Sequence, residues 1–187
     1  MVTNISHSPE ETEALGERWG RDARSGLVLA LSGDLGAGKT RLVKGLARGL
    51  GITARVHSPT FTLVNIYGGG RLDLYHLDLY RLESPGQIAA AGLEEYLNAP
   101  GVTVIEWAER WFAAAQAAMA SDPQSAGAQR DPETGSAAPR SSSPASAGSA
   151  PPGSSDGAQI LRAPWFRVQI EILDGNERRI VYEDPGA

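Results

Sequence analysis

The chain has 187 residues, a formal net charge of −5 at pH 7, 41% hydrophobic and 21% charged residues, and no cysteine. That length predicts one ordinary domain, and the acidic balance gives no global electrostatic reason to expect nucleic-acid binding. Disulfides and cysteine metal sites are excluded; with no basic, apolar leader and no run long enough to span a membrane, the expectation is a cytoplasmic protein.

Ser8-Pro9-Glu10-Glu11 predicts a helix start. Ser8 caps, Pro9 suits the first helical position and Glu11 completes a capping box. The helix is expected to run to about Ala23, burying Ala14, Leu15 and Trp19. Ser25-Gly26 turns the chain into an apolar strand over residues 27–31. A glycine-rich turn follows, and then Leu42, Val43, Leu46, Ala47 and Leu50 recur at helical spacing up to Gly51, a C′ glycine. Pro59 forces Ser58 extended. Residues 60–67 and 71–80 alternate and read as strands joined by Gly68-Gly69-Gly70, an antiparallel pair. A helical stretch is expected over 84–97, a buried strand over 102–107, and a helix from Trp107 to about Met119. Residues 165–173 and 177–183 predict a C-terminal hairpin turning at Asp174-Gly175-Asn176.

Residues 121–158 differ: 29 of these 38 are Ala, Ser, Pro or Gly. Such a composition buries too little surface to offset its ordering entropy, so 121–159 is expected to be a disordered insertion between 1–120 and 160–187, which form one domain. With a strand, then Gly33-x-x-x-x-Gly38-Lys39-Thr40, then a helix, the fold expected is α/β, a three-layer arrangement of the phosphate-loop NTPase kind. Its sheet is mixed, because an antiparallel pair joins a parallel strand-loop-helix unit.

The loop between strand and helix carries the clearest chemistry. Gly33-x-x-x-x-Gly38-Lys39-Thr40 satisfies the phosphate-binding pattern, with a strand before it and a helix after it. Gly33, Asp34, Leu35, Gly36, Ala37, Gly38, Lys39, Thr40 and Arg41 are therefore the candidate nucleotide-binding residues. Glycines let the backbone N–H groups approach phosphate oxygens, and the helix start adds its positive dipole end. Lys39 reaches the outer phosphates, and the Thr40 hydroxyl suits Mg²⁺.

Hydrolysis needs more than a loop. Glu106 follows an apolar strand directly, which puts it at the carboxyl end of the sheet beside the ligand; it is the candidate metal-linked acid. Asp78 is a second candidate acid, sharing a strand face with His76 and Tyr80, and Asp73 is its alternative. His57-Ser58-Pro59-Thr60-Phe61-Thr62 stands where phosphate-loop enzymes hold a switch segment, with Thr60 as the candidate γ-phosphate sensor. Arg41, Arg81 and Arg110 lie near these motifs without a finger being assignable among them. The residues alone leave three readings: an ATPase, a small-molecule kinase and a non-hydrolysing nucleotide-dependent binding module.

Four segments taken together, GDLGAGKT (33–40), HSPTFTLVNIY (57–67), YHLDLYRL (75–82) and VIEWAER (104–110), resemble the TsaE family over roughly residues 8–112 and 161–183. The resemblance implies a bacterial Mg²⁺-dependent ATPase required for threonylcarbamoylation of adenosine 37 in tRNAs reading codons that begin with A. Such a protein acts with TsaD, which transfers the group, and with TsaB. It further implies that Lys39 and Thr40 are the loop lysine and the Mg²⁺-binding threonine, Glu106 the second Mg²⁺-associated acid and Asp78 the acid of the H-x-D-x-Y-R motif. Thr60 would lie in the switch-like loop, Trp107 would follow the acid, and Glu10 to Thr12 would border the base. Two features depart from the family pattern: Ala108 stands where proline is usual, and the insertion before the last hairpin matches no family role.

Overall fold

In the computed structural model, which describes residues 1–120 and 165–183, the apolar run 27–31 becomes a buried strand near the middle of a seven-stranded sheet. The elements are β1 (Val2–Ser6), α1 (Pro9–Asp22), β2 (Leu27–Ser32), α2 (Lys39–Gly49), β3 (Val64–Tyr67), β4 (Asp73–Asp78), α3 (Pro85–Ala90), a 3-10 helix (Leu93–Asn98), β5 (Gly101–Glu106), α4 (Ala108–Ala120), β6 (Trp165–Ile172) and β7 (Arg178–Tyr182). Strand order is β1-β7-β6-β2-β5-β4-β3. β6, β2, β5 and β4 run parallel, while β1–β7, β7–β6 and β4–β3 are antiparallel. This is the mixed three-layer α/β fold expected from the sequence.

Each face of the sheet has its own core. Leu29, Leu31, Val104, Val168 and Ile170 pack with Leu15, Leu42, Val43 and Leu46 of α1 and α2. Val28, Ala30, Leu77 and Ile105 pack on the other face with Ile88, Leu93 and Trp111. Burial on both faces explains why residues 27–31 of β2 are a continuous apolar run and β5 is apolar but for Thr103 and the terminal Glu106, rather than alternating.

The contact between α1 and α2 runs backbone to backbone. A side-chain carbon on Gly16 or Gly20 would overlap the Leu42 or Leu46 carbonyl oxygen, and one on Gly45 or Gly49 would overlap that of Glu13 or Glu17. Thr12, Leu15, Gly16 and Gly20 are thus the buried positions of α1. Ala14, expected inside, is exposed, and Trp19 is half-buried with its ring edge-on to Phe166 and Tyr182, at 5.0 and 4.8 Å. Ser8 caps α1 by accepting from Glu11 N–H at 3.2 Å. The reciprocal bond is shifted by one residue, since the Glu11 carboxylate accepts from His7 N–H at 2.7 Å.

Other boundaries also move. Residues 60–63 form a turn closed by Leu63 N–H on Pro59 O at 2.7 Å, with Leu63 at φ 64°, so β3 starts only at Val64. The stretch 84–97 divides at Gly92, whose φ of 63° separates α3 from the 3-10 helix. β1 was not expected; it pairs with β7, placing the C-terminal hairpin inside the sheet. Arg71 Nη2 donates to the carbonyls of Gly20, Arg21 and Ala23, at 2.5, 2.9 and 2.6 Å, and closes the C-terminus of α1. The expected insertion over 121–159 lies outside the described residues. Among the described residues no helix is long and apolar enough to cross a membrane.

Candidate functional site

The loop leaves β2 and enters α2 through Gly33, Gly36 and Gly38, with φ of 141°, 80° and 107°. An L side chain is strained at such angles, and at Gly33 it would also overlap the Ile170 carbonyl oxygen of β6. Gly38 is the N-cap of α2 and supplies no side-chain cap, which leaves the helix start to offer backbone N–H groups to an anion.

Lys39 is 4% exposed. Its Nζ donates to the Gly33 and Asp34 carbonyls at 2.6 and 2.9 Å and lies 3.9 Å from the centre of the Trp107 ring. Burial pushes the ammonium below the ordinary lysine value of 10.5, against the pull of Glu106, Glu109, Asp78 and Asp34. Trp107 reaches this position from a left-handed backbone, φ 62°, that ends β5. Ala108 then starts α4 without the proline the family pattern has there.

Parallel pairing sets the acids side by side. Asp78 of β4 lies opposite Glu106 of β5, and Leu31 of β2 lies opposite Glu106 from the other side. Both acids therefore stand at the sheet end from which the loop emerges. Asp73, the alternative, pairs with Gly101 at the other end of β4 and is exposed.

Glu106 is 3% exposed, and its Oε1 has two partners: the Thr40 hydroxyl, which donates at 2.8 Å, and His76 Nε2, also at 2.8 Å. His76 is fully buried and its Nδ1 has no hydrogen-bond partner. A neutral ring donating through Nε2–H leaves only a lone pair unpaired, which costs less than a buried N–H without an acceptor. Asp78 Oδ2 accepts from the hydroxyls of Ser58 and Thr60, both at 2.7 Å, and Oδ1 from Tyr80 N–H at 2.9 Å. The segment after Pro59 is thus tied to the sheet end, and Tyr67 and Asn65 hold His57 through its backbone.

The loop, Lys39, Thr40, Glu106, Asp78 and Thr60 stand together at this end of the sheet. The Arg41 side chain does not join them: its Nη1 pairs with Glu13 Oε1 at 3.0 Å. Arg81 covers the Phe61 ring at 4.2 Å, and Arg110 donates to Leu82 O at 3.0 Å. The bond from His76 to Glu106 was missed, although the strand alternation already put His76 and Asp78 on one face; the β4–β5 register was the absent piece.

A hydroxyl and a carboxylate are hard oxygen donors suited to Mg²⁺. Two such donors suit an ion that takes its other ligands from phosphate and water; among the described residues no group of three or more His, Cys, Asp or Glu could hold a metal ion.

A family model described as "Threonylcarbamoyl adenosine biosynthesis protein TsaE" matches residues 6–131. Proteins named "tRNA threonylcarbamoyladenosine biosynthesis protein TsaE" are similar to the chain. That of Bacillus subtilis is 50% identical over 101 residues, covering 54% of this chain and 63% of that protein. That of a Nostoc species is 52% identical over 105 residues, covering 54% and 64%. That of Treponema pallidum is 49% identical over 106 residues, covering 57% and 78%. The match spans a little under two thirds of the Bacillus and Nostoc proteins. The crystal structure of Bacillus subtilis YdiB superposes with a TM-score of 0.60 at 29% identity, covering 97% of this chain and 83% of that one.

Proposed function

The chain belongs to the TsaE family, and on that premise we propose that it is a cytoplasmic, Mg²⁺-dependent ATPase that supports threonylcarbamoylation of adenosine 37 in tRNAs reading ANN codons. It acts with TsaB and TsaD and does not transfer the group itself. The observation that carries the ATPase reading is the 2.8 Å bond from the Thr40 hydroxyl to Glu106 Oε1, which ties the phosphate loop to the acid at the sheet end.

In this reading the N–H groups at the start of α2 bind phosphate oxygens, and the Lys39 ammonium exchanges its loop carbonyls for the outer phosphates. Thr40 and Glu106 would hold the Mg²⁺, which when bound would screen the phosphate charge and polarise the γ-phosphoryl group. His76 fixes the Glu106 carboxylate through Oε1. Asp78 holds Ser58 and Thr60 beside the terminal phosphate, where the Thr60 hydroxyl registers its presence.

Turnover by the protein alone is slow. Arg41, Arg81 and Arg110 are each engaged with other groups, Glu13, the Phe61 ring and Leu82 O, and a stabilising arginine supplied by a partner is worth roughly 10³–10⁵ in rate. The pathway assignment is tested by mass spectrometry of tRNA nucleosides after depletion of this protein. Threonylcarbamoyladenosine is expected to disappear from ANN-reading tRNAs and to return with the wild-type gene but not with Lys39→Ala. Unchanged nucleoside levels contradict it.

A further inference from the structure

The phosphate loop is held from two sides. On the inner side Lys39 binds the carbonyls of Gly33 and Asp34. On the outer side stands Arg178, the first residue of β7, far away in sequence and outside the matched family segment. Its Nε donates to Ala37 O at 3.1 Å and its Nη2 to Gly36 O at 3.3 Å. Its Nη1 donates to Gly175 O at 3.1 Å and Glu177 O at 2.9 Å, inside its own hairpin turn. One guanidinium therefore joins the β6–β7 turn to the second half of the loop. The neighbouring Glu177 carboxylate turns the other way, to His7 at 3.0 Å, and does not neutralise it.

The consequence follows from peptide geometry. In a trans peptide the N–H points opposite to the C=O. With Ala37 O held outward by Arg178, the N–H of Gly38 faces the other way, towards the phosphate side. Ala37 N–H is already used, on Asp34 O at 3.1 Å, so the 37–38 peptide is the one that Arg178 orients for a ligand. Gly38, at φ 107°, has the conformational freedom that makes this orientation something to be held. A permanently charged guanidinium on the carbonyl side also polarises that peptide, strengthening its N–H as a donor to an anion.

The geometry points to Arg178 as a positioning residue for phosphate binding: it aims the Gly38 N–H at the nucleotide and makes the C-terminal hairpin a working part of the loop. This rests on the loop being a nucleotide site. The test uses the full chain and its Arg178→Gln and Arg178→Lys variants, with titration of Mg²⁺–ATP, ¹⁵N spectra of the Gly38 amide on addition of Mg²⁺–ADP, and thermal melting. Arg178→Gln is expected to weaken ATP binding about tenfold, the loss of one charge-assisted contact, and to diminish the Gly38 amide shift seen in the wild type. Arg178→Lys, which keeps the charge but not the fork, is expected to fall between the two. Should Arg178→Gln fail to fold, the lysine variant decides by the same readouts. A variant that melts lower yet binds ATP within twofold of wild type, with an unchanged Gly38 shift, overturns the positioning role. Absence of ATP binding by the wild type overturns the nucleotide reading itself, and this inference with it.

Discussion

The Thr40 hydroxyl and the Glu106 carboxylate, 66 residues apart, meet at 2.8 Å and lock the first turn of α2 to the end of β5. If the pair acts as one metal-holding unit, Thr40→Ala and Glu106→Gln should each cut Mg²⁺-dependent ATP hydrolysis by roughly 10²–10³, in the range of losing one transition-state contact. The double variant should lose little more than either single one, because residues acting as a unit are strongly non-additive. Steady-state rates across a Mg²⁺ titration measure this; full additivity contradicts it.

His76 offers a second check, on stability and metal response together. Replacing it with Ala opens a space in a fully buried position and leaves Glu106 without one of its two partners on Oε1. The expected cost is about 2–4 kcal/mol in urea unfolding. His76→Gln, which keeps a donor, should recover part of the stability and lower the Mg²⁺ concentration needed for half-maximal hydrolysis relative to His76→Ala. An equal Mg²⁺ requirement in both would reduce His76 to a packing residue.

Lys39 predicts two pH effects of opposite sign. Its value in the folded protein is lowered by burial, so in the window below the ordinary 10.5 the unfolded chain binds more protons than the folded one. The ligand-free protein therefore gains stability as pH rises through that window, and loses that contribution again as pH falls through the lowered value. ATP binding should decline over the same rise, because the neutral amine no longer offsets phosphate charge. Thermal melts and binding isotherms between neutral pH and 10.5 read both slopes, and Lys39→Met should flatten them.

The glycine contact between α1 and α2 gives a prediction about packing alone. Gly45→Ala drives a methyl group into the Glu13 carbonyl, and Gly16→Ala drives one into that of Leu42. Each should cost about 1–3 kcal/mol or more, as overpacking does. Gly86→Ala is the control: nothing lies within 4 Å of the added carbon, and it should be neutral or stabilise by up to about 1 kcal/mol. Melting temperatures that fall equally in all three would remove the close-approach explanation.

These contacts also mark where the sequence was legible. Strand–loop–helix order, the phosphate pattern and the apolar strand before Glu106 are local signals, and each became the expected element. The α1–α2 interface was not legible, because a glycine contacts through the side chain it lacks, and helical spacing therefore pointed to Ala14 instead of Gly16 and Gly20. Leu63 and Trp107 adopt left-handed backbones that their residue types disfavour, at a cost met by tertiary contacts, so the strand boundaries beside them shifted. Arg71 and Arg178 act on backbone carbonyls distant in the chain, and nothing in local spacing marks such a partner. β1 is five residues long and becomes a strand by pairing with β7 at the other end of the chain.

The decisive measurement is ATP turnover by the purified protein with and without TsaB and TsaD, for the wild type and Glu106→Ala. The account predicts slow hydrolysis by the wild type alone, acceleration of at least roughly tenfold by the two partners, and near-complete loss of both in Glu106→Ala. Rapid hydrolysis that ignores the partners, or full activity in Glu106→Ala, would contradict it.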